Sequence, residues 1–135
     1  MSDNRTFIDS NVIIYLFSGD ERKKQLALSF LQPKYFISTQ VVNENVNVCL
    51  RKLKLPKEDA FAHGKNLLNT FAIANIYPST IMKAFDLSGK YLFSFWDSLI
   101  VAAALENSCK ILFSEDMHEG LLIEQSLTII NPFKI

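Results

Sequence analysis

Short apolar segments alternate with longer segments of helical periodicity along most of the chain. After Ser38, for example, apolar side chains recur at Val42, Val46, Cys49 and Leu53, which is the spacing of one helix face. Glycine and proline are scarce, at four each, which predicts short loops. The pattern predicts strands at residues 6–8, 35–37, 73–77, 110–113 and 127–130, and helices at 11–17, 21–32, 38–53, 56–71, 79–90 and 94–107.

This order of elements predicts an α/β fold with a parallel sheet and helices on both of its faces. Right-handed crossovers are the default connection between such strands. Folds of this type bind ligands beyond the carboxyl ends of the strands. Asp9 ends the first predicted strand and Asp116 follows the fourth, so both are expected at the ligand-binding edge.

Composition restricts the kind of partner that the chain can have. Its 135 residues are 49% hydrophobic and predict a single domain over residues 1–135. Fourteen basic and fourteen acidic residues cancel, which excludes a strongly basic coat for nucleic acid but leaves room for a local basic patch. The large apolar fraction favours an oligomer or a hydrophobic partner.

The sequence predicts a cytoplasmic protein. Cys49 and Cys109 are too few for a disulfide framework and have apolar neighbours, as is typical of a reducing compartment. The polar residues 1–5 show no secretory leader. No apolar stretch approaches the roughly 20 residues of a membrane span, so no membrane contact is expected.

Three carboxylates stand out by their surroundings. Asp9 interrupts an apolar stretch, and Glu44 lies on the side of its helix opposite the apolar stripe. Taken alone, Asp9 fits a helix N-cap and Glu44 fits a solvated helix face. Asp97 opens a helix that is apolar nearly all round, where it fits a capping box with Ser94. A buried carboxylate is costly unless it is paired or binds a metal, so a functional role is favoured for Asp97.

A fourth acidic position follows a predicted strand, where either Asp116 or the adjacent Glu115 can serve. Two strand ends and a helix start meet at one edge of a parallel sheet, so the acids are expected to converge. A cluster of uncompensated carboxylates needs cations, and oxygen ligands without Cys or His suit Mg²⁺ or Mn²⁺. The predicted chemistry is hydrolysis of a phosphate ester by metal-activated water.

Several short motifs follow one another in a characteristic order. They are Phe7-Ile8-Asp9-Ser10-Asn11-Val12, then Glu44, then Ser94-Phe95-Trp96-Asp97 with its alanine-rich continuation, then Ser114-Glu115-Asp116, and finally Asn131-Pro132-Phe133. In this order and spacing they resemble the motifs of PIN domains, and more narrowly those of the small VapC-type toxin ribonucleases of bacteria and archaea. The resemblance covers essentially the whole chain.

The resemblance implies a three-layer α/β/α sandwich with a central, mostly parallel sheet. It also implies an Mg²⁺- or Mn²⁺-dependent endoribonuclease that hydrolyses RNA, as the toxin of a type II toxin–antitoxin pair with a cognate antitoxin protein. The family's metal-binding and catalytic acids match Asp9, Glu44, Asp97 and Asp116, and its supporting polar residues match Ser10, Asn11 and Ser114.

Two other functions stay open on the sequence alone. The chain could keep the fold as a catalytically inactive module that binds RNA or protein, or it could act as a small phosphatase. The four scattered glycines argue against a nucleotide-binding loop. The basic run from Arg51 to Lys57 fits an RNA contact and a solvated helix end equally well.

A homodimer is also expected. Its contact surface, or a groove for an antitoxin, is predicted on two helical segments. These are the helix before Pro33 and the segment that contains Phe61, Leu67, Leu68 and Phe71.

Overall fold

A computed structural model describes residues 4–134, and residues 1–3 and 135 lie outside the described part. The strands are β1 (Thr6–Ile8), β2 (Phe36–Ser38), β3 (Ala72–Ala74), β4 (Ile111–Phe113), β5 (Leu122–Ile123) and β6 (Leu127–Ile130). The α-helices are α1 (Ser10–Ile13), α2 (Glu21–Ser29), α3 (Thr39–Arg51), α4 (Lys57–Thr70), α5 (Pro78–Tyr91) and α6 (Phe95–Glu106). Two short 3-10 helices cover Ile14–Phe17 and Pro132–Lys134.

Within residues 4–134 the six strands form one sheet in the order β3-β2-β1-β4-β6-β5. Every neighbouring pair is parallel except the terminal pair of β5 and β6. The central strand β1 pairs with β4 through Ile8 and Phe113, the last residues of the two strands. The residues that follow both strands therefore leave the sheet at the same edge. The predicted α/β fold with a mostly parallel sheet is confirmed.

Helix α6 is the most deeply buried helix of the chain. All residues from Ser98 to Ala104 are buried. Its polar N-terminal end is fixed by Ser94, whose hydroxyl accepts a hydrogen bond from the Asp97 amide at 3.1 Å. Because the rest of the helix is apolar on all sides, it is surrounded by protein, and Asp97 is held at the end that reaches the surface.

Helix α3 begins at Ser38, as the sequence predicts. The Ser38 hydroxyl accepts the amide hydrogen of Val41 at 3.2 Å. Helix α4 packs closely against α3 at Gly64, where an added Cβ would come within 2.8 Å of a Val46 methyl carbon. The glycine therefore permits a helix contact that a side chain would obstruct.

Some predicted boundaries were wrong for identifiable reasons. The third strand ends at Ala74 instead of residue 77, because Tyr77 and Thr80 form the capping box that starts α5. The first helix breaks into a short α-helix and a 3-10 turn. Strand β5 escaped prediction because it has two residues, and its turn uses Glu124 and Gln125 at positive φ instead of glycine.

The helices can be compared with the predictions about a membrane span and about an apolar contact surface. In the described part of the chain, no helix combines the length and apolar character needed to cross a membrane. Leu67 and Phe71, which were expected on a contact surface, are buried in the core, whereas Phe61 and Leu68 are exposed. The helical spacing of Leu67 and Leu68 explains this, because adjacent residues on a helix point about 100° apart.

Candidate metal centre and active site

Asp9 is the centre of the candidate site. It follows β1, is only 5% exposed, and its carboxylate accepts the Ser10 amide hydrogen at 2.6 Å. The Ser114 hydroxyl, which follows β4, donates to the other carboxylate oxygen at 2.9 Å. Asn11 donates weakly to that same oxygen at 3.5 Å, and its Oδ1 accepts the Glu115 amide hydrogen at 3.2 Å. Neutral donors therefore fix this carboxylate from two neighbouring strand ends.

The protonation of Asp9 reflects this setting. The pKa of Asp9 is raised to about 6, chiefly by burial and also by the nearby negative charges of Glu44 and Asp97, against the opposing hydrogen bonds from Ser114 and Ser10. Burial dominates because removing a carboxylate from water disfavours its charged form. The N-cap role that the sequence left open is also present, since Asp9 caps α1.

Glu44 reaches the same region from α3. The Ser10 hydroxyl lies 2.8 Å from a Glu44 carboxylate oxygen and 3.3 Å from a carboxylate oxygen of Asp9. One hydroxyl carries one proton, so it can donate to only one of these two acids at a time. Gln40 donates to the second oxygen of Glu44 at 3.1 Å. Glu44 is therefore a partly buried member of the cluster and not a freely solvated helix residue.

Asp97 projects from the first turn of α6 and is partly buried. Burial raises the pKa of Asp97, and the carboxylates of Glu44 and Asp116 raise it further against the effect of Ser94. The Ser94 hydroxyl accepts the Asp97 amide hydrogen, which is one of the two hydrogen bonds of the capping box that the sequence predicts. The charge of Asp97 nevertheless interacts with two other acids of the predicted set.

Glu115 and Asp116 have different surroundings. Glu115 forms an ion pair of 2.8 Å with Lys23 and accepts a hydrogen bond from the Tyr15 hydroxyl. Burial alone would raise the pKa of Glu115, but these two contacts lower it below its usual value. Asp116 is exposed and its charge acts on Asp97. Of these two neighbouring acids, Asp116 is therefore the one whose charge acts on the acidic cluster.

Several residues that support the site were not predicted from the sequence. Asn45 on α3 is buried, bonds to His63 at 3.1 Å, and donates to the Ser10 backbone carbonyl at 3.5 Å. Gln40 links Glu44 to the Trp96 backbone carbonyl, at 3.2 Å. The only signal for these residues was their polarity on a helix that also carries an apolar stripe, which does not separate a buried amide from a solvated one.

Among residues 4–134, no lysine or arginine forms an ion pair with the acids of the cluster. The ion pairs found between residues 4 and 134 join Lys23 to Glu115, Lys90 to Glu124 and Lys134 to Glu119, and none involves the four predicted acids. Within that same stretch, no three Asp, Glu, His or Cys side chains are grouped closely enough to form a ready-made metal site. Mutual repulsion opposes closer approach of unneutralised carboxylates. The all-oxygen donor set without Cys or His nevertheless suits Mg²⁺ or Mn²⁺.

Known proteins share the fold of this chain. A family profile described as the PIN domain matches residues 6–118. No curated protein matches the sequence significantly. Among solved structures, a toxin–antitoxin complex from Klebsiella pneumoniae is similar with a TM-score of 0.70 and 22% identity, covering 94% of this chain and 97% of the other.

Two further solved structures share the fold. VapC20 of Mycobacterium tuberculosis, described as a toxin that cleaves the sarcin-ricin loop, has a TM-score of 0.67 and 18% identity over 82% of this chain and 89% of its own. VapBC2 from Rickettsia felis, solved on a DNA fragment of its promoter, has a TM-score of 0.64 and 16% identity over 92% and 96%.

The parallel sheet with acids beyond adjacent strand ends defines a class of α/β proteins that bind ligands at that edge. Within this class, the profile match over most of its length shows that the chain belongs to the PIN domain family. Its similar structures are VapC-type toxins, and the family is one of nucleases.

The raised pKa of Asp9 leads to a prediction about stability. The folded protein keeps the Asp9 proton to a higher pH than the unfolded chain does, so this residue lowers stability as pH rises from about 4 to about 6. Asp9→Asn removes the charge and keeps the shape. We expect it to raise the free energy of unfolding by about 1–2 kcal/mol at pH 7.5 in EDTA, and to change it little at pH 4. Urea denaturation at both pH values measures this.

The control is Asp86→Asn, an exposed carboxylate on α5, which should leave stability unchanged at both pH values. Mn²⁺ should stabilise the unsubstituted protein at pH 7.5 more than the Asp9→Asn variant. A loss of stability in Asp9→Asn at pH 7.5 would show instead that the N-cap role of the charged group outweighs its burial cost.

Proposed function

We propose that the protein is an Mg²⁺- or Mn²⁺-dependent endoribonuclease that hydrolyses RNA phosphodiesters. The observation that carries this proposal is the buried Asp9 carboxylate, whose pKa is raised to about 6 and whose charged neighbours are other acids. A structural carboxylate at this depth would be expected to have a positive partner. In our proposal, this carboxylate would receive a cation from solution.

Asp9, Glu44, Asp97 and Asp116 would hold the metal ion. When bound, such an ion activates a water molecule and neutralises charge on the phosphate. Ser10, Asn11 and Ser114 support the acids, since their hydroxyl and amide groups orient the carboxylate of Asp9 without neutralising it. Lys23 stays outside this group because Glu115 binds it.

The biological role that we propose is that of a toxin in a type II toxin–antitoxin pair. Two of the similar solved structures support this role, the toxin–antitoxin complex from Klebsiella pneumoniae and the toxin VapC20 of Mycobacterium tuberculosis. An apolar cavity of about 330 Å³ beside Ser10 and Asn11 offers a place where a cognate antitoxin can bind next to the acids.

We place the protein in the cytoplasm, where its two buried, free cysteines would remain reduced.

A homodimer is part of the same proposal, with its contact surface on α5. Met82 and Phe85 occupy one face of this helix and are 65% and 55% exposed, and Leu92 at its C-cap is 88% exposed. Leu92 also has a φ of 62°, a backbone conformation that costs a leucine free energy. Exposed apolar side chains in one region are typical of a protein contact surface.

The first test of the proposal is cleavage of single-stranded RNA. The protein should cut it in Mg²⁺ or Mn²⁺ and lose this activity in EDTA. Asp97→Asn should lower the rate at least about 100-fold and keep the unfolding free energy within about 1 kcal/mol. Because no histidine is placed to activate the 2′-hydroxyl, the products should carry 5′-phosphate and 3′-hydroxyl ends, which end-specific ligation can detect.

Activity in EDTA, or a 2′,3′-cyclic phosphate product, would contradict the metal-dependent mechanism. RNA binding without turnover under all metal conditions would favour the inactive binding module. Cleavage of a phosphomonoester but not of RNA would favour the phosphatase.

The adjacent acids Glu115 and Asp116 provide a matched pair of variants. Asp116→Asn should abolish most RNA cleavage and leave the unfolding free energy nearly unchanged, since Asp116 is exposed. Glu115→Gln should retain cleavage and lower stability slightly, because it removes the ion pair to Lys23. Kinetics and urea denaturation of both variants measure the difference. The reverse pattern would assign the metal-binding role to Glu115.

The dimer surface is tested by sedimentation velocity. Phe85→Glu places a charge on the proposed surface and should shift the protein from dimer to monomer at micromolar concentration. Leu68→Glu, at a comparably exposed leucine on α4, is the control and should leave the dimer intact. If only Leu68→Glu dissociates the dimer, the surface lies on α4, as the sequence alone suggested.

A further inference from the structure

A second cavity lies beside the acidic cluster and is not used by the proposed hydrolysis. It has a volume of about 390 Å³. One of its walls is helix α3, and the opposite wall includes Ile76, Trp96 and Leu99. Glu44 lines the cavity and also belongs to the cluster around Asp9, so the two sites adjoin.

Apart from Glu44, the polar side chains that α3 presents to the cavity are neutral hydrogen-bonding groups. Gln40, Asn43 and Asn47 line it at intervals of three and four residues, which places them on one side of the helix. The amide nitrogen of Gln40 is occupied by Glu44 and by the Trp96 carbonyl. The amide oxygen of Gln40 is buried and has no hydrogen-bond partner among the described residues. This wall therefore has donors and acceptors to offer a polar ligand edge.

The opposite wall offers an aromatic face. Trp96 is 62% exposed, although it is the largest side chain of the chain and lies in the first turn of the buried helix α6. Its ring meets Phe95 edge-on at 5.3 Å, and Phe95 stacks on Phe85 at 5.6 Å. The hydrogen bond from Gln40 to the Trp96 backbone holds this residue against α3. The indole therefore contacts Phe95 on one side and remains largely exposed to solvent.

We infer that this cavity binds one unpaired nucleobase of the RNA substrate, next to the phosphate that is cut. An unpaired base has an aromatic face for stacking on Trp96 and a polar edge for the amides of Asn43 and Asn47. No lysine or arginine lines the cavity, so a phosphate group or an acidic peptide has no counter-charge there. Asparagine and glutamine pair best with adenine, whereas guanine favours arginine or lysine, so adenine is the expected base. This inference deepens the proposed ribonuclease function and rests on it.

The chain provides its own probe, because Trp96 is its only tryptophan. The experiment uses the full-length Asp9→Asn variant in EDTA, so that RNA is bound but not cut. Hexanucleotides of adenosine, uridine and cytidine, and an abasic hexamer with the same phosphates, are titrated while tryptophan fluorescence is recorded. We expect saturable quenching that is tightest with adenosine and absent with the abasic hexamer.

Variants then locate the contact. Trp96→Leu should weaken binding of a labelled adenosine hexamer by about 5- to 100-fold in fluorescence anisotropy, the loss expected for one stacked base. Asn43→Ala should reduce the preference for adenosine over uridine while Trp96 quenching persists. Phe61→Leu changes an exposed aromatic residue outside the cavity and is the matched control. It should bind the adenosine hexamer as tightly as the protein without this substitution.

The outcomes separate this inference from the proposed function. Base-dependent quenching without RNA cleavage by the unsubstituted protein would support the base site and reject the nuclease. Cleavage with unchanged rate and sequence preference in Trp96→Leu, or equal quenching by the abasic hexamer, would overturn the base site alone. Conversion of a dimer to a monomer by Trp96→Leu, without loss of RNA binding, would also overturn it and assign Trp96 to a contact between copies.

Discussion

The candidate site depends on one buried carboxylate, Asp9, which forms no ion pair with any residue between 4 and 134. Asp9 is held by the Ser10 amide, by the Ser114 hydroxyl and more weakly by Asn11, all of which are neutral. Because Ser114 follows β4 and Asp9 follows β1, this one carboxylate joins the two central strand ends. The Ser10 hydroxyl extends the same network to Glu44 on α3. Three elements are therefore positioned around a charge that the fold does not neutralise.

The distribution of basic residues preserves that charge. Lys23 is close in space to the residues after β4, yet it binds Glu115 and lies over the ring of Tyr15. A lysine beside Asp9 would lower the pKa of Asp9 and stabilise the fold, but it would compete with a metal ion for the same oxygens. The ion pair with Glu115 removes this competition. In the proposed function, stability at the site would be given up for the ability to bind a cation, as is common for functional carboxylates.

The sequence predicts the strands and the acids that follow them, but it does not predict the side-chain contacts around those acids. The apolar runs around Phe7 and Leu112 predict β1 and β4, and a parallel sheet brings their ends together, so the places of Asp9 and Asp116 follow from local pattern. The choice between Glu115 and Asp116 does not follow, because the position of Lys23 is a tertiary fact. Likewise, the sequence does not predict the hydrogen bond from the Gln40 amide to the Trp96 carbonyl, because this bond forms only when the start of α6 packs beside α3.

In the proposed function, helix α3 would link the chemistry to recognition of the substrate. Glu44 and Gln40 are one turn apart, and the hydrogen bond between them connects the acidic cluster to the wall of the neighbouring cavity. The same glutamine holds the backbone of Trp96, one residue before Asp97. A base stacked on Trp96 would thus contact the start of α6, which carries Asp97. It would also lie near Gln40, which orients Glu44. Since catalytic groups must be placed within fractions of an ångström, binding at this cavity would favour hydrolysis of the phosphate beside it.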